Sequence, residues 1–185
     1  MNQIPEELRD EVMKWRTLRR ERPEEIEAAG PGQESVWDYP RPPRVEAVKA
    51  AIRVEFGGRV IARTQHAWRV LETSSPPAYY LPPEGVAVEY LTASDQTALC
   101  EWKGVSRYWH VVVGLRKSEN AAWCYPEPWQ GYAVIKDHFA FNASRVDACF
   151  VDGERVIPQP GEYYGGWITA NVVGPFKGGP GTSRW

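Results

Sequence analysis

From about residue 50 onward, the chain alternates apolar and polar residues, and a turn signal interrupts the alternation every ~8–12 residues. Ile52, Val54 and Phe56 alternate with charged residues, and the pair Gly57-Gly58 that follows favours a two-residue hairpin. With 16 prolines and 16 glycines in 185 residues, the composition opposes long helices over most of the chain. The pattern predicts a mainly β fold of short antiparallel strands, built as a sandwich, a barrel or a folded-over sheet.

Further strands and one loop follow from the same alternation. Residues 97–102 and 106–113 are predicted to pair around a Lys-Gly turn, and residues 86–90 are predicted to form another strand. Residues 123–129 carry two prolines and are predicted to form a loop. Such a loop would lie at the surface, because its backbone polar groups need partners.

The N-terminal part of the chain differs from this central part. Residues 5–22 predict a helix, since apolar residues recur at helical spacing, acidic residues begin the segment and arginines end it. Residues 23–44 form a proline-rich arm. An extended peptide that carries Trp37 and Tyr39 is expected to lie in a groove of its own domain. The alternative is an exposed Pro-x-x-Pro ligand for a partner protein.

The C-terminal part is rich in glycine and proline but also carries regularly spaced aromatic residues. Disordered tails are usually poor in aromatic residues, so this segment is expected to wrap around the domain. The predicted organisation is a helix and arm over residues 1–44, a β core over residues 45–157, and a wrapping extension over residues 158–185.

Charge and composition exclude several classes of protein. The net charge is −2, with 22 basic and 24 acidic residues, so neither nucleic acid nor a membrane surface is expected as a partner. No apolar run approaches the ~18 residues of a membrane span, and residues 1–10 do not resemble a signal peptide. Three widely spaced cysteines do not make a disulfide framework. We therefore expect a cytoplasmic protein with reduced thiols, whose oligomeric state the sequence leaves open.

Metal and phosphate sites find little support in the sequence. The three histidines lie far apart and no Cys-x-x-Cys pair exists, so neither a metal nor a cofactor is expected. The glycine-rich C-terminal end lacks the spacing of a phosphate-binding loop, since Lys177 precedes the glycines and no helix is predicted after them. A weaker nest of backbone N–H groups that binds an anion beside Lys177 is the alternative.

Three residues carry the chemistry of a candidate catalytic site. Glu72 ends an apolar strand, where a buried carboxylate needs a partner such as Lys103, Arg63 or a tyrosine hydroxyl. Lys103 lies three residues after Cys100 and would favour a reactive thiolate there. Each has a structural alternative: an ion pair for Glu72, a solvated turn for Lys103 and a small buried side chain for Cys100. Asp147, beside a second cysteine, has a claim similar to that of Glu72.

Large aromatic side chains form a second candidate group. Aromatic residues near loops often build the walls of pockets, although packing in a core is the commoner alternative. The aromatic residues considered are Tyr79, Tyr80, Tyr108, Trp109, Trp123, Tyr125 and Trp129. Among these, the candidates for contact with a ligand are Tyr79, Tyr80, Tyr108, Trp123 and Tyr125.

Five ordered motifs stand out in the central part of the chain. They are Leu71-Glu72-Thr73, Pro77-x-Tyr79-Tyr80-x-Pro82, Thr97-x-x-Cys100-x-x-Lys103-Gly104-x-x-x-Tyr108-Trp109, Ala122-Trp123-x-Tyr125-Pro126-x-Pro128 and Val146-Asp147-Ala148. Together they resemble the bacterial family catalogued as domain of unknown function 427. The resemblance covers about residues 50–157, and the flanking segments look like the extensions of a longer, cyanobacterial-type subgroup.

The resemblance implies a compact antiparallel β fold similar to the β-tent class, in which two sheets meet at an angle. Relatives of that fold often carry a four-cysteine zinc knuckle, whose cysteines this chain lacks, and some hold ligands in an aromatic cage between the sheets. The family has also been labelled nucleotidyltransferase. That chemistry needs paired metal-binding carboxylates, and the chain contains no Asp-x-Asp pair.

Three hypotheses about function follow. The first is a small-molecule-binding domain, in which the five aromatic candidates line a cleft closed by Glu72 and Lys103 and hold a partly apolar or cationic ligand. The second is an enzyme that uses Glu72 with Lys103, and with Cys100, in acid–base or nucleophilic chemistry. The third is a protein that docks a partner through its proline-rich arm.

Overall fold

The computed structural model describes residues 4–185, and it confirms a mainly β fold with one N-terminal helix. Helix α1 spans Arg9–Thr17 and follows a 3₁₀ turn at Glu6–Leu8. It ends earlier than predicted, and the chain beyond it brings Arg20 within 3.3 Å of the Glu101 carboxylate. Within residues 4–185, no helix is both long enough and apolar enough to cross a membrane.

The strands are short, and they pair in antiparallel fashion except for β1 with β15. Their bounds are β1 (Glu34–Ser35), β2 (Arg44–Val48), β3 (Ile52–Phe56), β4 (Arg59–Thr64), β5 (Ala67–Glu72), β6 (Ser75–Tyr80), β7 (Leu91–Cys100), β8 (Gly104–Val113), β9 (Arg116–Cys124), β10 (Ala140–Phe141), β11 (Ala148–Val151), β12 (Glu154–Arg155), β13 (Ile157–Pro158), β14 (Trp167–Ile168) and β15 (Val172–Val173). Further 3₁₀ turns lie at Pro83–Gly85, Val88–Tyr90, Ala133–Ile135 and Ala143–Arg145.

Three sheets make up the central part of the molecule. Their strand orders are β12-β11-β3-β4, β10-β9-β8-β7 and β2-β5-β6. The predicted hairpin joins β3 to β4 at Gly57 and Gly58, which both have positive φ, the conformation that glycine adopts without steric cost. Ile52, Val54 and Phe56 all point into the core, as the alternation predicts.

The main hydrophobic core includes a residue from the C-terminal extension. Trp167, in strand β14, has no exposed surface and packs among the core residues of the central sheets. Its indole Nε1 donates a hydrogen bond of 2.8 Å to the carbonyl oxygen of Phe141 in strand β10. The extension is therefore part of the same packing unit as the sheets, and it wraps around the domain as the aromatic spacing predicts.

The proline-rich arm lies against its own domain. Trp37 and Tyr39 are both buried, and they pack with Val36, Leu71 and Val172 in a separate hydrophobic cluster. The Trp37 indole donates a hydrogen bond to a main-chain oxygen of the C-terminal extension at 2.9 Å. Strand β1 also pairs with strand β15, so the arm and the C-terminal extension hold each other in place.

Two assignments made from the sequence are wrong. Residues 86–90 do not form a strand: 3₁₀ turns flank Val86, which makes a single bridge to Ala62. Strand β9 is not predicted, because its first half is polar and mostly exposed. Trp123 therefore lies within a strand and not on a loop, since the chain leaves strand β9 only after residue 124.

Candidate functional site

A cavity of about 540 Å³ lies between the sheet β10-β9-β8-β7 and the sheet β2-β5-β6. Its walls are side chains from strands β5, β6, β7, β8 and β9. Both ends of the chain complete the enclosure, with Arg20 from the N-terminal part and residues 162–166 from the C-terminal extension. The cavity is not fully enclosed, and Tyr163, one of its lining residues, is 70% exposed.

The structure brings together at this cavity all but one of the site residues predicted from the sequence. They are Glu72, Tyr80, Cys100, Lys103, Tyr108, Trp123 and Tyr125. Strand pairing explains part of the grouping, because Tyr108 in β8 lies opposite Trp123 in β9 and residues directly across a sheet point to the same face. Residues from distant parts of the chain therefore share one hollow.

Tyr79 is the exception and is a correction to the predicted site. It follows Ala78 and precedes Tyr80 in strand β6, and successive side chains of a strand point to opposite faces. Ala78 and Tyr80 line the cavity, whereas Tyr79 packs in the main core with its ring centre 5.1 Å from that of Trp167. Tyr79 is therefore a core residue.

Three aromatic rings form a connected wall of the cavity. The Trp123 indole Nε1 donates a hydrogen bond of 3.2 Å to the Tyr80 hydroxyl, and the two rings meet edge to face. The ring centres of Tyr80 and Tyr125 lie 6.2 Å apart. Burial raises the pKa of both tyrosines, so the two hydroxyls stay neutral at physiological pH. This wall presents ring surface and neutral polar tips to the cavity.

The turn between β7 and β8 aims Lys103 inward. Gly104 has a φ of +103°, and the Trp129 indole lies so close that a side chain at this position would press on it. The Trp129 backbone N–H also donates a hydrogen bond of 3.0 Å to the Lys103 carbonyl oxygen. These contacts hold the turn against the domain, and Lys103 is only 8% exposed.

Lys103 is a buried ammonium group that lines the cavity. Burial, the largest influence, lowers its pKa, but Cys100, Tyr80 and Glu72 raise it by more, so the net pKa lies above the usual range. The Nζ atom also lies 5.9 Å from the ring centre of Tyr125. The raised pKa favours the protonated ammonium form of Lys103 at the cavity wall.

Cys100 is the only one of the three thiols that lines the cavity. It is partly exposed, whereas Cys124 and Cys149 are buried. Burial raises the pKa of both buried thiols, and the Trp109 indole Nε1 lies 3.3 Å from Cys124 Sγ. A water-soluble reagent that modifies thiols is therefore expected to reach Cys100 first.

Glu72 finds a different partner from those expected. Its carboxylate lies 2.8 Å from the guanidinium of Arg41, which comes from the proline-rich arm. The same guanidinium lies 3.9 Å from the carboxylate of Glu101. Glu72 is therefore held in an ion pair at the cavity wall, and neither Arg63 nor Lys103 takes that place.

Sequence reasoning missed six charged residues at or beside the cavity. They are Arg20, Arg41, Glu101, Arg145, Glu162 and, as a cavity residue, Lys177. Lys177 is only 5% exposed and donates a hydrogen bond of 2.9 Å to the main-chain oxygen of Trp185. The nearest sequence signal is the position of Glu101, directly after Cys100 in one of the motifs. Nothing in the sequence pattern predicts that residues from the proline-rich arm and from both ends of the chain lie near Glu101.

Two other sequence-based candidates have structural roles. The Asp147 carboxylate is bound by the Arg116 guanidinium at 2.7 and 2.8 Å and accepts the Gly57 backbone N–H at 2.8 Å, which lowers its pKa. Two backbone N–H groups of the supposed nest are already engaged. That of Lys177 donates to the Ser74 carbonyl, and that of Gly178 donates to the Thr182 hydroxyl.

In the part of the chain that the structure describes, no group of three or more His, Cys, Asp or Glu side chains is placed to hold a metal ion. The charged residues of the cavity are instead lysines and arginines with three carboxylates, of which Glu72 and Glu101 are already in ion pairs. This donor set does not suit a divalent cation, which needs several free oxygen ligands.

Comparison with known proteins identifies the family and no more. The model of the family described as a domain of unknown function (DUF427) matches residues 44–152, which is more than half of the chain. A search of curated proteins found no match. The matched range contains the three central sheets except for strand β12, and it contains every predicted site residue. By this match, the chain belongs to the DUF427 family.

Proposed function

We propose that this protein binds a small organic molecule in the cavity between its two sheets. The observation that carries the proposal is the convergence of Tyr80, Trp123, Tyr125 and Lys103 on one open hollow of about 540 Å³. Cavities of roughly 300–1,000 Å³ with apolar rings and a few polar groups are typical of ligand sites. The ring surface would supply most of the binding energy, and the polar groups would set orientation.

The two other hypotheses have weaker support. An acid–base role for Glu72 needs a carboxylate that is free to exchange a proton, whereas Glu72 is held by Arg41 at 2.8 Å. Docking through the proline-rich arm needs exposed anchor residues, whereas Trp37 and Tyr39 are buried in their own domain. The binding hypothesis needs neither condition.

A neutral fluorescent probe tests the proposal. N-phenyl-1-naphthylamine is an apolar molecule made of two flat ring systems, and its fluorescence brightens when it leaves water. We expect saturable binding of one probe per chain and slower modification of Cys100 by a thiol reagent when the probe is bound. Cys100 lines the cavity while the other two thiols are buried, so its modification rate reports on this site alone.

A matched pair of variants locates the binding site. Ala98→Trp fills the cavity from strand β7, whereas Ala93→Trp adds the same ring to an exposed position of the same strand, away from the cavity. We expect the first variant to abolish probe binding and the second to leave it unchanged, with thermal unfolding used to verify that both fold. Absence of saturable binding of both this probe and its sulfonated analogue to the unmodified protein, or binding that survives in a folded Ala98→Trp variant, overturns the proposal.

A further inference from the structure

The positive charge of Lys103 has no carboxylate partner in residues 4–185. No Asp or Glu oxygen there lies within 4.0 Å of its Nζ. The two nearby carboxylates, Glu72 and Glu101, are instead engaged by Arg41 and Arg20. Its close polar neighbour is the Cys100 thiol. An ammonium group has three N–H donors, and a single thiol cannot accept hydrogen bonds from all of them. An ammonium group that lines a cavity and has no carboxylate within 4.0 Å can take an anion as its partner, so this position suits an anionic group.

The surroundings add to this positive character. Five cationic side chains lie at or beside the cavity with three carboxylates. They are Arg20, Arg41, Lys103, Arg145 and Lys177 on the one side, and Glu72, Glu101 and Glu162 on the other. Burial and repulsion by Arg20 and Arg41 together lower the pKa of Lys177 to about 8, against the smaller opposing effect of Glu72 and Glu101. The region thus carries an excess of positive charge, which opposes the cationic ligand considered from the sequence.

The aromatic wall beside Lys103 selects for a flat apolar group. The Trp123 indole N–H is already satisfied by the Tyr80 hydroxyl, so the rest of the ring offers only apolar surface. The centre of the Tyr125 ring lies 5.9 Å from Lys103 Nζ and 6.2 Å from the centre of the Tyr80 ring. An anionic group at Lys103 and a planar group against the rings can therefore belong to one molecule.

From this arrangement we infer that the ligand is a small organic monoanion, a carboxylate or sulfonate carried on a flat apolar skeleton, with its anionic group paired to Lys103. This inference rests on the proposed function, because it names the chemical class of the ligand for the same cavity. A charge-assisted hydrogen bond to a buried ammonium is stronger than a neutral one, so the anionic group adds affinity that a neutral ligand lacks.

Two probes with one skeleton test the inference separately from the proposed function. 8-Anilinonaphthalene-1-sulfonate carries the N-phenylnaphthylamine skeleton with one sulfonate, and N-phenyl-1-naphthylamine is the same skeleton without it. We expect the sulfonate to bind the folded protein at least about tenfold more tightly than the neutral probe. If the neutral probe binds and the sulfonate binds no more tightly, the inference is overturned while the proposed function stands. If neither probe binds, both fail.

Variants assign the effect to one side chain. Lys103→Met keeps the length of the side chain and removes its charge, and we expect it to weaken sulfonate binding about tenfold while it changes neutral binding less than about twofold. Lys117→Met removes an exposed lysine of strand β9 and should change neither. A Lys103→Met variant that retains full preference for the sulfonate overturns the assignment. Should that variant fail to fold, Lys103→Arg is the second test, because it keeps the positive charge. A folded Lys103→Arg variant that no longer prefers the sulfonate over the neutral probe overturns the inference.

Discussion

Trp167→Ala is the substitution that most directly tests whether the C-terminal extension and the sheets form one cooperative unit. Trp167 has no exposed surface and donates its indole N–H to the Phe141 carbonyl at 2.8 Å. Burial of roughly 200 Å² of ring at about 25 cal/mol/Å² is worth about 5 kcal/mol. Measured losses for Trp→Ala substitutions in cores are about 3–5 kcal/mol. We therefore expect the free energy of unfolding to fall by about 4–5 kcal/mol.

Urea unfolding followed by far-ultraviolet circular dichroism measures this loss without depending on the other tryptophans. With a denaturant slope of about 2 kcal/mol/M, the midpoint should move down by about 2 M. Ile157→Ala is the matched control, because Ile157 is 63% exposed and pairs with strand β14 from the neighbouring strand β13. It should cost less than about 1 kcal/mol.

A loss below about 1 kcal/mol for Trp167→Ala would refute the reasoning, because a well-packed core cannot lose a fully buried indole so cheaply. Two separate transitions, one at low urea for the extension and one at higher urea for the sheets, would refute it in a different way. That result would mean that the extension unfolds on its own and contributes little to the stability of the sheets.

Two further predictions concern the surroundings of the cavity. The pKa of Lys177 is lowered from 10.5 to about 8 in the folded state, so the folded protein releases this proton at a lower pH than the unfolded chain does. The free energy of unfolding should therefore rise as the pH rises from about 8 to about 10.5. Urea midpoints at about pH 7.5 and about pH 9.5 should show this rise in the unmodified protein and a smaller one in Lys177→Met. A Cβ atom at Gly165 would overlap the Trp123 ring, so Gly165→Ala should lower the free energy of unfolding by about 1–3 kcal/mol. Gly179→Ala is the control: its new Cβ lies 4.0 Å from the nearest atom, and it should cost less than about 0.5 kcal/mol in the same unfolding assay. Equal losses in the two glycine variants would contradict the close contact between Gly165 and Trp123.

The alternation of the sequence predicts much of the fold because each signal is local. The hairpin at Gly57 and Gly58 follows from two adjacent residues, and the β7–β8 pair follows from the turn before Gly104. Strand β9 escapes prediction because its outer half, Arg116 to Asn120, is polar and mostly solvent-exposed, so it lacks an apolar face there. Periodicity detects a strand only where one side of it is buried.

Part of the candidate site can likewise be predicted from local sequence, and part of it cannot. Cys100 and Lys103 belong to one turn, so their proximity follows from spacing, and Tyr108 follows from the strand after it. Whether Tyr79 or Tyr80 faces the cavity depends on which face of strand β6 each side chain occupies. The strand begins Ser-Pro-Pro, so its sequence lacks the apolar–polar alternation that would show which face is which. The pairing of Arg41 with Glu72 depends on how the arm folds back over the domain, which no local pattern encodes.

The walls that complete the cavity come from outside residues 44–152, since Arg20 precedes this range and residues 162–166 follow it. These walls are thus supplied by peptides outside the matched range, and Trp167 anchors the later peptide in the main hydrophobic core. Grafting a new loop between strands β13 and β14, with Trp167 retained, is therefore a route to altered ligand selectivity that leaves the sheets untouched.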